Sequence, residues 1–380
     1  MRISRRGLLA TGGVVTAGLA VGGAYIFTRT PTAALAPWRQ AGEPEEPRLK
    51  ALSYAILAPN PHNRQPWLIE LDGEDRIRLF CQLDRRLPET DPFDRQITIG
   101  MGCFLELLRL AAGAQGQRLE IRRFPEGEPA PRLDRRPVAE VIFRDGGGAP
   151  DPLFAHALSR RSLKETFDTA RPVPAGHLDL LLAAPGKGVA VSGSLAEGDV
   201  AALRELTWQA HHREITTHRT NMESVELMRI GKREVEARPD GIDLSGAFLE
   251  TLNRLGMLDR EQLADPGSDA FRLGLDMYRE MLMSAMGHVW LVTQENRRID
   301  QLASGAAWLR LNLQATALGL GLHPLSQALQ EFPEMAPLHR ALHERLAPDG
   351  GRVQMLGRIG YGPAVNPSPR WPLASRLAGA

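Results

Sequence analysis

Residues 58–67, A-P-N-P-H-N-R-Q-P-W, constrain the fold of this chain more than any other stretch. Prolines remove backbone donors and fix φ, so this stretch cannot lie inside a helix or a central strand. The residues before it, 47–57, alternate apolar and polar at helical spacing, and residues 67–71 are typical of a strand entering a sheet. The stretch is therefore predicted to be an ordered turn between a helix and a buried strand.

Two interpretations of this turn are open. A polar, proline-braced turn beside a buried strand holds its amide groups in place, which suits contact with a flat heteroaromatic ligand. The other interpretation is a simple connector between helix and strand that is stabilised by Asx turns. The turn alone does not separate the two.

A second polar motif, R-R-S-L-K-E-T-F-D at residues 160–168, places Arg160, Ser162 and Lys164 at alternate positions. In an extended segment these side chains point the same way, so two cations and a hydroxyl face one anion. A solvated basic loop before a helix is the alternative.

The turn resembles that of the FMN-dependent nitroreductase superfamily, whose A-P-S-x-x-N-x-Q-P-W pattern packs on the flavin. The resemblance implies flavin contacts at Pro59, Asn60, Asn63 and Gln65. This sequence departs from the family pattern at Asn60 and Pro61, where small hydroxyl residues are usual.

Residues 160–168 are similar to the R-x-S-x-K/R motif of the same family. There the arginine and serine hold the FMN phosphate, and the basic residue lies near the flavin ring or ribityl chain. The resemblance assigns these roles to Arg160, Ser162 and Lys164.

Two later segments also resemble the family. Residues 319–327 resemble its G-L-G-x-x-P segment, whose amides after the proline donate to the hydride-carrying flavin nitrogen; the matching donors are Ser326 and Gln327. Near the end of the chain, Arg370 matches the arginine that closes on the phosphate.

The C-terminal segment departs from the family at one position. Ser368 stands where the family often has a lysine, which removes or replaces one positive contact. Arg358 is a candidate substitute, although its strand-like neighbours suit a solvent-facing role equally well.

The order of these motifs implies two fused halves. In the family the phosphate motif precedes the turn within one domain, and two identical subunits share each flavin. Here the turn lies about a hundred residues before Arg160, and no second copy follows it. This order resembles the Acg-like branch of single-chain pseudo-dimers, and implies an α+β, nitroreductase-like fold with halves at residues 45–150 and 151–376. The sequence itself shows no strong residue-level repeat.

Periodicity and turn residues predict the individual elements. The expected helices are 47–57, 99–116, 177–184, two long helices within 197–236, and 300–318. The expected strands are 67–71, 77–82, 119–122, 138–143, 189–192, 289–293 and 352–363.

Composition limits the function classes. With 380 residues, 43% of them apolar, the chain can build a substantial core, and a net charge of +1 gives no case for nucleic-acid binding. Cys81 and Cys103 make no metal site; two buried thiols are favoured over a single bridge. His211, His212 and His218 lack the spacing of zinc ligands, so no metal is predicted.

The N-terminus, residues 1–36, is predicted to be a targeting segment and the start of a linker. S-R-R-G-L-L followed by an uncharged run is typical of twin-arginine export signals, and a plain membrane anchor is the alternative. We therefore expect contact with the twin-arginine machinery and a location in the periplasm or on the outer face of the inner membrane, with N-terminal anchoring and signal cleavage both open.

The resemblance implies an FMN-binding oxidoreductase that passes hydride from NAD(P)H to a small acceptor such as a nitroaromatic or quinone. No catalytic acid or base is assigned, because hydride transfer requires none. A flavin-storage protein with a covered site and a degenerate domain without flavin are the alternatives. An insert at residues 208–265 is expected to cover the flavin, and the fused chain is expected to be a monomer.

Overall fold

The computed structural model describes residues 29–185 and 188–379, whose strands form two four-stranded antiparallel sheets and one short parallel pair. The strands are β1 (Trp67–Asp72), β2 (Arg76–Cys81), β3 (Gln117–Arg123), β4 (Ala139–Gly147), β5 (Ala190–Ser194), β6 (Met228–Ile230), β7 (Ile242–Leu244), β8 (Gly287–Thr293), β9 (Gly321–Pro324) and β10 (Arg352–Gly360). The first sheet has the order β1-β2-β4-β3, and the second has β5-β8-β10-β9. In chain order, both sheets therefore place their first, second, fourth and third strands side by side.

The helices surround and join these sheets. They are α1 (Ala36–Gln40), α2 (Pro47–Ala55), α3 (Arg95–Ala114), α4 (Ala175–Ala183), α5 (Glu197–Thr216), α6 (His218–Leu227), α7 (Gly231–Ala237), α8 (Ala247–Arg254), α9 (Arg260–Ala264), α10 (Asp269–Met283), α11 (Arg298–Ala317) and α12 (Ala336–Leu346). Helices α5 to α10 form an insert, residues 197–283, between β5 and β8 of the second sheet.

Each half is built around one 20-residue helix, α3 or α11, which follows the second strand of its sheet. The two helices cross at Gly102 and Gly305, each the eighth residue of its helix. A Cβ atom on Gly102 would lie 2.2 Å from the carbonyl oxygen of Leu302, and one on Gly305 would lie 2.0 Å from that of Ile99. The helix backbones can therefore approach this closely because neither glycine has a side chain.

The repeat also extends to residues within these helices. Aligned from their first residues, α3 and α11 share six identities: Arg95/Arg298, Gly102/Gly305, Leu108/Leu311, Leu110/Leu313, Ala112/Ala315 and Ala114/Ala317. The sequence alone did not reveal this repeat, because six identities within 20 residues are mostly common helix residues such as Leu and Ala.

The first residue of each central helix reaches into the opposite half. Arg95 donates to the carbonyl oxygen of Leu329 at 2.9 Å, and Arg298 donates to that of Pro131 at 2.8 Å. Leu377 pairs with Ile69 of β1, which attaches the C-terminus to the first sheet. The predicted α+β fold of two fused halves is confirmed.

Most predicted strands are confirmed to within a few residues, but β4 continues to Gly147, four residues beyond its expected end. The start of the helix expected at 99–116 is wrong, because it begins at Arg95. The Asp91 carboxylate accepts hydrogen bonds from the amides of Gln96 (3.0 Å) and Ile97 (2.9 Å), so this polar stretch caps the helix.

The second half contains more elements than expected. Residues 197–236 hold three helices and β6 rather than two long helices. Helix α10 and helix α12 were not predicted, and α10 begins where the Ser268 hydroxyl accepts from the amide of Phe271 at 3.0 Å. Its amphipathic pattern leaves apolar residues exposed, which obscured it.

Among the described helices, α3 alone is long and apolar enough to cross a membrane by length and composition, and nearly all of it is buried in the core. Cys81 and Cys103 are both buried thiols, as predicted. The predicted export motif falls in residues 1–28, outside the described part of the chain.

Candidate functional site

Four segments that are distant in sequence meet around one cavity of about 370 Å³. They are the turn 58–67 from the first half, and the segment after residue 160, the end of β9 and residues 365–370 from the second. The cavity therefore lies between the halves. Nine of the ten predicted site residues line it: Pro59, Asn60, Asn63, Arg160, Ser162, Lys164, Ser326, Gln327 and Arg370.

The turn is held in shape by its own side chains. His62, Asn63 and Gln65 have φ values of 46°, 51° and 49°, a region that most side chains avoid. The Asn60 side chain accepts a hydrogen bond from the amide of Gln65 at 2.7 Å and donates to the carbonyl of Ala58 at 3.1 Å. An asparagine can replace the usual small hydroxyl residue here because its amide closes the turn from both sides.

Gln65, the tenth predicted site residue, does not line the cavity. It is fully buried; its Nε2 donates to the carbonyl of Pro239 at 2.6 Å, and its Oε1 accepts from the amide of Trp371 at 2.8 Å. Gln65 therefore fastens the turn to the insert and to the C-terminal segment.

Asn63 and Arg370 join the two halves directly. Nη1 of Arg370 donates to Oδ1 of Asn63 at 2.5 Å, and Nδ2 of Asn63 donates to the carbonyl of Pro369 at 3.0 Å. The turn and the basic C-terminal segment, which are about 300 residues apart, thus form one wall.

Two buried guanidiniums lie at one end of the cavity. Arg160 is 3% exposed and donates to the carbonyl of Leu57 at 3.0 Å; Arg370 is 2% exposed and donates to the same carbonyl at 3.1 Å. Within residues 29–185 and 188–379 neither has a carboxylate partner, and both Nε atoms lack a hydrogen bond. The ring of Trp38 lies 6.0 Å from the Arg160 guanidinium and 5.5 Å from that of Arg370.

The pKa values of both arginines lie below the ordinary value, chiefly because the side chains are buried. Burial lowers the pKa of Arg160 to about 10. Burial, and then the charges of Arg160 and Arg161, hold the pKa of Arg370 well below its ordinary value. Buried cations without a counter-charge are costly, so this end of the cavity is suited to an anion.

Ser162 and Lys164 lie on the same side of an extended segment, as predicted. Between them Leu163 is buried, and its amide donates to the carbonyl of Leu322 at 3.0 Å. The Lys164 side chain lines the cavity. The protein atoms around it exclude water, and this desolvation lowers the pKa of Lys164, whereas the negative charge of Glu214 raises it.

Two imidazoles line the cavity, and both are neutral. Burial, followed by the charges of Lys164 and Arg64, lowers the pKa of His62 to about 3. Burial, followed by the charge of Arg358, lowers the pKa of His323 well below its ordinary value. Arg358 Nε donates to His323 Nδ1 at 2.9 Å, so the imidazole proton lies on Nε2.

The proposed role of Arg358 at the phosphate is wrong, and so is the solvent-facing alternative. Arg358 is fully buried in β10, where it donates to the carbonyls of Met281 and Glu165. Its position opposite His323 in β9 keeps it behind the cavity wall. Another cation, Arg161, does line the cavity, and its guanidinium lies 5.0 Å from the Trp38 ring.

Ser326 and Gln327, which follow Pro324, line the cavity. Neither the Ser326 nor the Gln327 amide donates a hydrogen bond within the described chain, because both lie at the first turn of a short 3₁₀ helix. The Gln327 side chain donates to the Tyr278 hydroxyl at 3.3 Å, and Tyr278 stacks on His211 at 3.6 Å. These amides are available to a ligand in the cavity.

The insert forms one side of the cavity. Residues 241–243 line it, and Tyr278 extends the wall beyond residue 265, the expected end of the lid. Asp240 accepts from Arg64 at 2.5 Å and lies 3.3 Å from Arg85, so ion pairs hold the insert against the turn.

The insert also carries a buried carboxylate near the cavity. Glu214 of α5 accepts a hydrogen bond from Gln330 at 3.0 Å. Burial raises the pKa of Glu214 to about 7, and hydrogen bonds from Gln330 and Gln327 and the charge of Lys164 limit the rise.

Sequence reasoning did not predict several of the residues that line the cavity, among them Trp38, Arg161, Tyr278 and His323. Trp38 had a signal, because a lone tryptophan in a Pro- and Glu-rich linker needs a packing partner. Arg161 and His323 lay inside quoted motifs, whereas Tyr278 lay in a helix that was not predicted.

Sequence comparison identifies relatives of the whole chain. It is 26% identical over 334 residues to Rv3131 of Mycobacterium tuberculosis, a protein provisionally named an NAD(P)H nitroreductase; the alignment covers 86% of this chain and 88% of that protein. Over most of its length the chain is thus similar to a protein that is provisionally named a nitroreductase. No family model matches the chain.

Two further comparisons cover different extents of the chain. It is 38% identical over 76 residues, 20% of its length and 22% of the relative, to the M. tuberculosis protein acg, which bears the same provisional name. A solved structure of a provisionally named nitroreductase from Anabaena variabilis aligns with 87% of this chain and 91% of its own, at 11% identity and a TM-score of 0.42.

Proposed function

We propose that this chain binds one FMN in the cavity between its halves, with the phosphate at Arg160, Ser162 and Arg370. The observation that carries the proposal is the pair of buried guanidiniums without a carboxylate partner in the described chain. A phosphate supplies the missing negative charge, and the planar guanidinium suits phosphate geometry. The motif resemblance and the relationship to Rv3131 favour FMN over other phosphate ligands.

A bound flavin supplies the chemistry of accepting and releasing hydride. The residues of this chain supply position and charge. The free amides of Ser326 and Gln327 can donate to a ring nitrogen, and Lys164 can stabilise negative charge on a reduced ring. The turn with Pro59, Asn60 and Asn63 gives the ring a polar wall.

We infer that the reaction is an oxidoreduction in which NAD(P)H is the electron donor and a small nitroaromatic or quinone is the acceptor. Donor and acceptor would use the cavity in turn, in a ping-pong order. No side chain is assigned as a catalytic acid or base, because hydride transfer itself moves no separate proton.

The absorption spectrum of the purified full-length protein tests this function. We expect one FMN per chain, bleaching of the flavin band by NAD(P)H without oxygen, and recovery of the band when a quinone or nitroaromatic is added. A colourless protein that also fails to take up added FMN would contradict the binding proposal.

The second candidate function is flavin storage, in which the site holds FMN but turns nothing over. The observation that favours it is the insert wall, formed by residues 241–243 and Tyr278, which covers one side of the cavity. In this case the yellow protein would not bleach with NAD(P)H, whereas dithionite would still reduce the flavin.

We further propose that the chain is exported by the twin-arginine route and acts as a monomer. Both contributions to the cavity come from one chain, which supports the monomer. Light scattering of the purified protein should give the mass of one chain, and fractionation should place it in the periplasm or the membrane. A dimer mass or a cytoplasmic location would contradict these two proposals respectively.

A further inference from the structure

Helix α8 of the insert carries an apolar face that the described protein leaves open. Phe248 is 71% exposed, Leu255 is 66% exposed and Met257 is 59% exposed. Phe248, Leu252 and Leu255 follow i, i+4, i+7 spacing, so they lie on one side of the helix. Large apolar residues exposed together mark a surface for an apolar partner.

The beginning of the described chain is attached to the same helix. Arg29 donates from Nη1 to Oε2 of Glu250 in α8 at 3.3 Å. The amide of Ala33 donates to Glu236, at the end of α7, at 3.3 Å. Glu250 is buried and faces the protein, while Phe248, two residues earlier, faces outward.

The residues that lead into Arg29 are apolar. Residues 7–27 form an uncharged run of 21 residues. A helix of that length spans about 30 Å, the thickness of the hydrocarbon core of a bilayer. One residue, Thr28, separates the run from Arg29, so the end of the run lies within about 7 Å of Arg29. A membrane that holds this run would therefore lie close to α8.

We propose that the apolar face of α8, formed by Phe248, Leu252, Leu255 and Met257, rests on the lipid surface of the membrane in which residues 7–27 are embedded. These side chains would enter the boundary between headgroups and acyl chains, as in interfacial amphipathic helices. The occupant is lipid rather than a second protein, because the chain itself brings its membrane segment to this helix.

The docked arrangement has a consequence for the acceptor. Residues 241–243, which wall the cavity, directly precede α8, so the cavity would lie near the lipid surface. This favours an acceptor dissolved in the membrane, such as a lipophilic quinone. That consequence rests on the proposed function, whereas the docking of α8 does not.

Site-specific fluorescence on the full-length chain tests the docking. Because both native cysteines are buried, an introduced cysteine can be labelled selectively with an environment-sensitive dye. We would label Phe248→Cys, and Leu180→Cys as the control, since Leu180 is 51% exposed on α4 of the second half. Each protein is reconstituted in phosphatidylcholine vesicles, with and without nitroxide-bearing phosphatidylcholine.

We expect blue-shifted emission at position 248 and a loss of that emission with nitroxide lipid, with neither change at position 180. Adding Leu255→Glu to the Phe248→Cys variant should reduce the quenching while the chain stays in the membrane fraction. A dye at position 248 that iodide quenches from water overturns the proposal. A dye that neither iodide nor nitroxide lipid quenches also overturns the proposal, because protein would then cover the face. A chain that does not stay with the vesicles overturns it too.

Discussion

The two halves of the molecule share a scaffold and differ in the connectors attached to it. Both sheets have the same strand order, and both central helices have a glycine at their eighth residue. The connector from the first helix to the first strand, however, has 11 residues in the first half (56–66) and six in the second (184–189). Only the longer connector contains the Asn60–Gln65 turn.

This difference shows which parts of a duplicated fold remain constrained. The helix crossing is fixed by backbone contact, so neither half could change it independently. The connectors differ, and each half makes a different contribution: the first supplies the turn, and the second supplies the arginines. The two halves therefore contribute different residues to the cavity at the turn.

The largest expected effect comes from removing a cation of the second half. Arg160→Gln and Arg370→Gln should each weaken FMN binding by at least about 30-fold, since losing one partner of a buried charged contact costs about 2–5 kcal/mol. Titration of the flavin-free protein, followed by flavin fluorescence, measures this change.

The exposed Arg171, which does not line the cavity, provides the matched control in Arg171→Gln. Its FMN affinity should equal that of the unchanged protein. If Arg160→Gln behaved like Arg171→Gln, the phosphate would not lie at the second half's arginines.

The next effect concerns Glu214, in the insert that the first half lacks. Its folded pKa of about 7 lies above its ordinary value of 4.5, so the folded state retains a proton that the unfolded state loses. The resulting stabilisation is complete below pH 4.5 and disappears as the pH rises through about 7, a change of about 3 kcal/mol.

Urea unfolding at several pH values measures this, with Glu214→Gln as the comparison because it keeps the shape without titrating. The difference in unfolding free energy between the two proteins should shift in favour of Glu214→Gln as the pH rises from 5 to 8. A difference that stays constant would show that Glu214 is ionised normally.

Substitutions at the helix crossing test the part of the scaffold that the two halves share. Gly102→Ala and Gly305→Ala each force a methyl group against backbone atoms, and should each lower the free energy of unfolding by about 1–3 kcal/mol. Gly176→Ala in α4 is the control, because nothing lies within 4 Å of its Cβ position. A large loss of stability from one substitution and none from the other would contradict the structural equivalence of the two central helices.

The smallest effect is expected in the turn, which the second half lacks. Asn60→Ala removes the acceptor for the Gln65 amide and should cost about 1 kcal/mol of unfolding free energy. Thermal unfolding of the flavin-free protein detects a change of this size. An unchanged melting temperature would mean that the prolines alone maintain the turn.

The parts of the site that could be predicted from the sequence are short motifs. The turn, the Arg160 segment and the pair Ser326 and Gln327 were found because each depends on neighbouring residues with fixed spacing. Their meeting around one cavity is consistent with the motif order, in which each half holds only part of the site.

The features that the sequence did not predict depend on packing between distant residues. Gln65 lies behind the cavity because Pro239 and Trp371, from other segments, take its hydrogen bonds. Arg358 is buried because β10 is a central strand of its sheet, flanked by β8 and β9. The equivalence of α3 and α11 emerges at the glycine crossing, which sequence periodicity does not encode.

The place of Trp38 and Arg370 at one end of the cavity has a consequence for biosynthesis. Trp38 and Arg370 lie more than 300 residues apart in the chain, and the amide of Arg370 donates to the carbonyl of Ala34 at 2.8 Å. A nascent chain therefore cannot close the anion pocket until Arg370 has been synthesised. A product truncated before Arg370 would lack one of the two buried guanidiniums and could not hold the ligand.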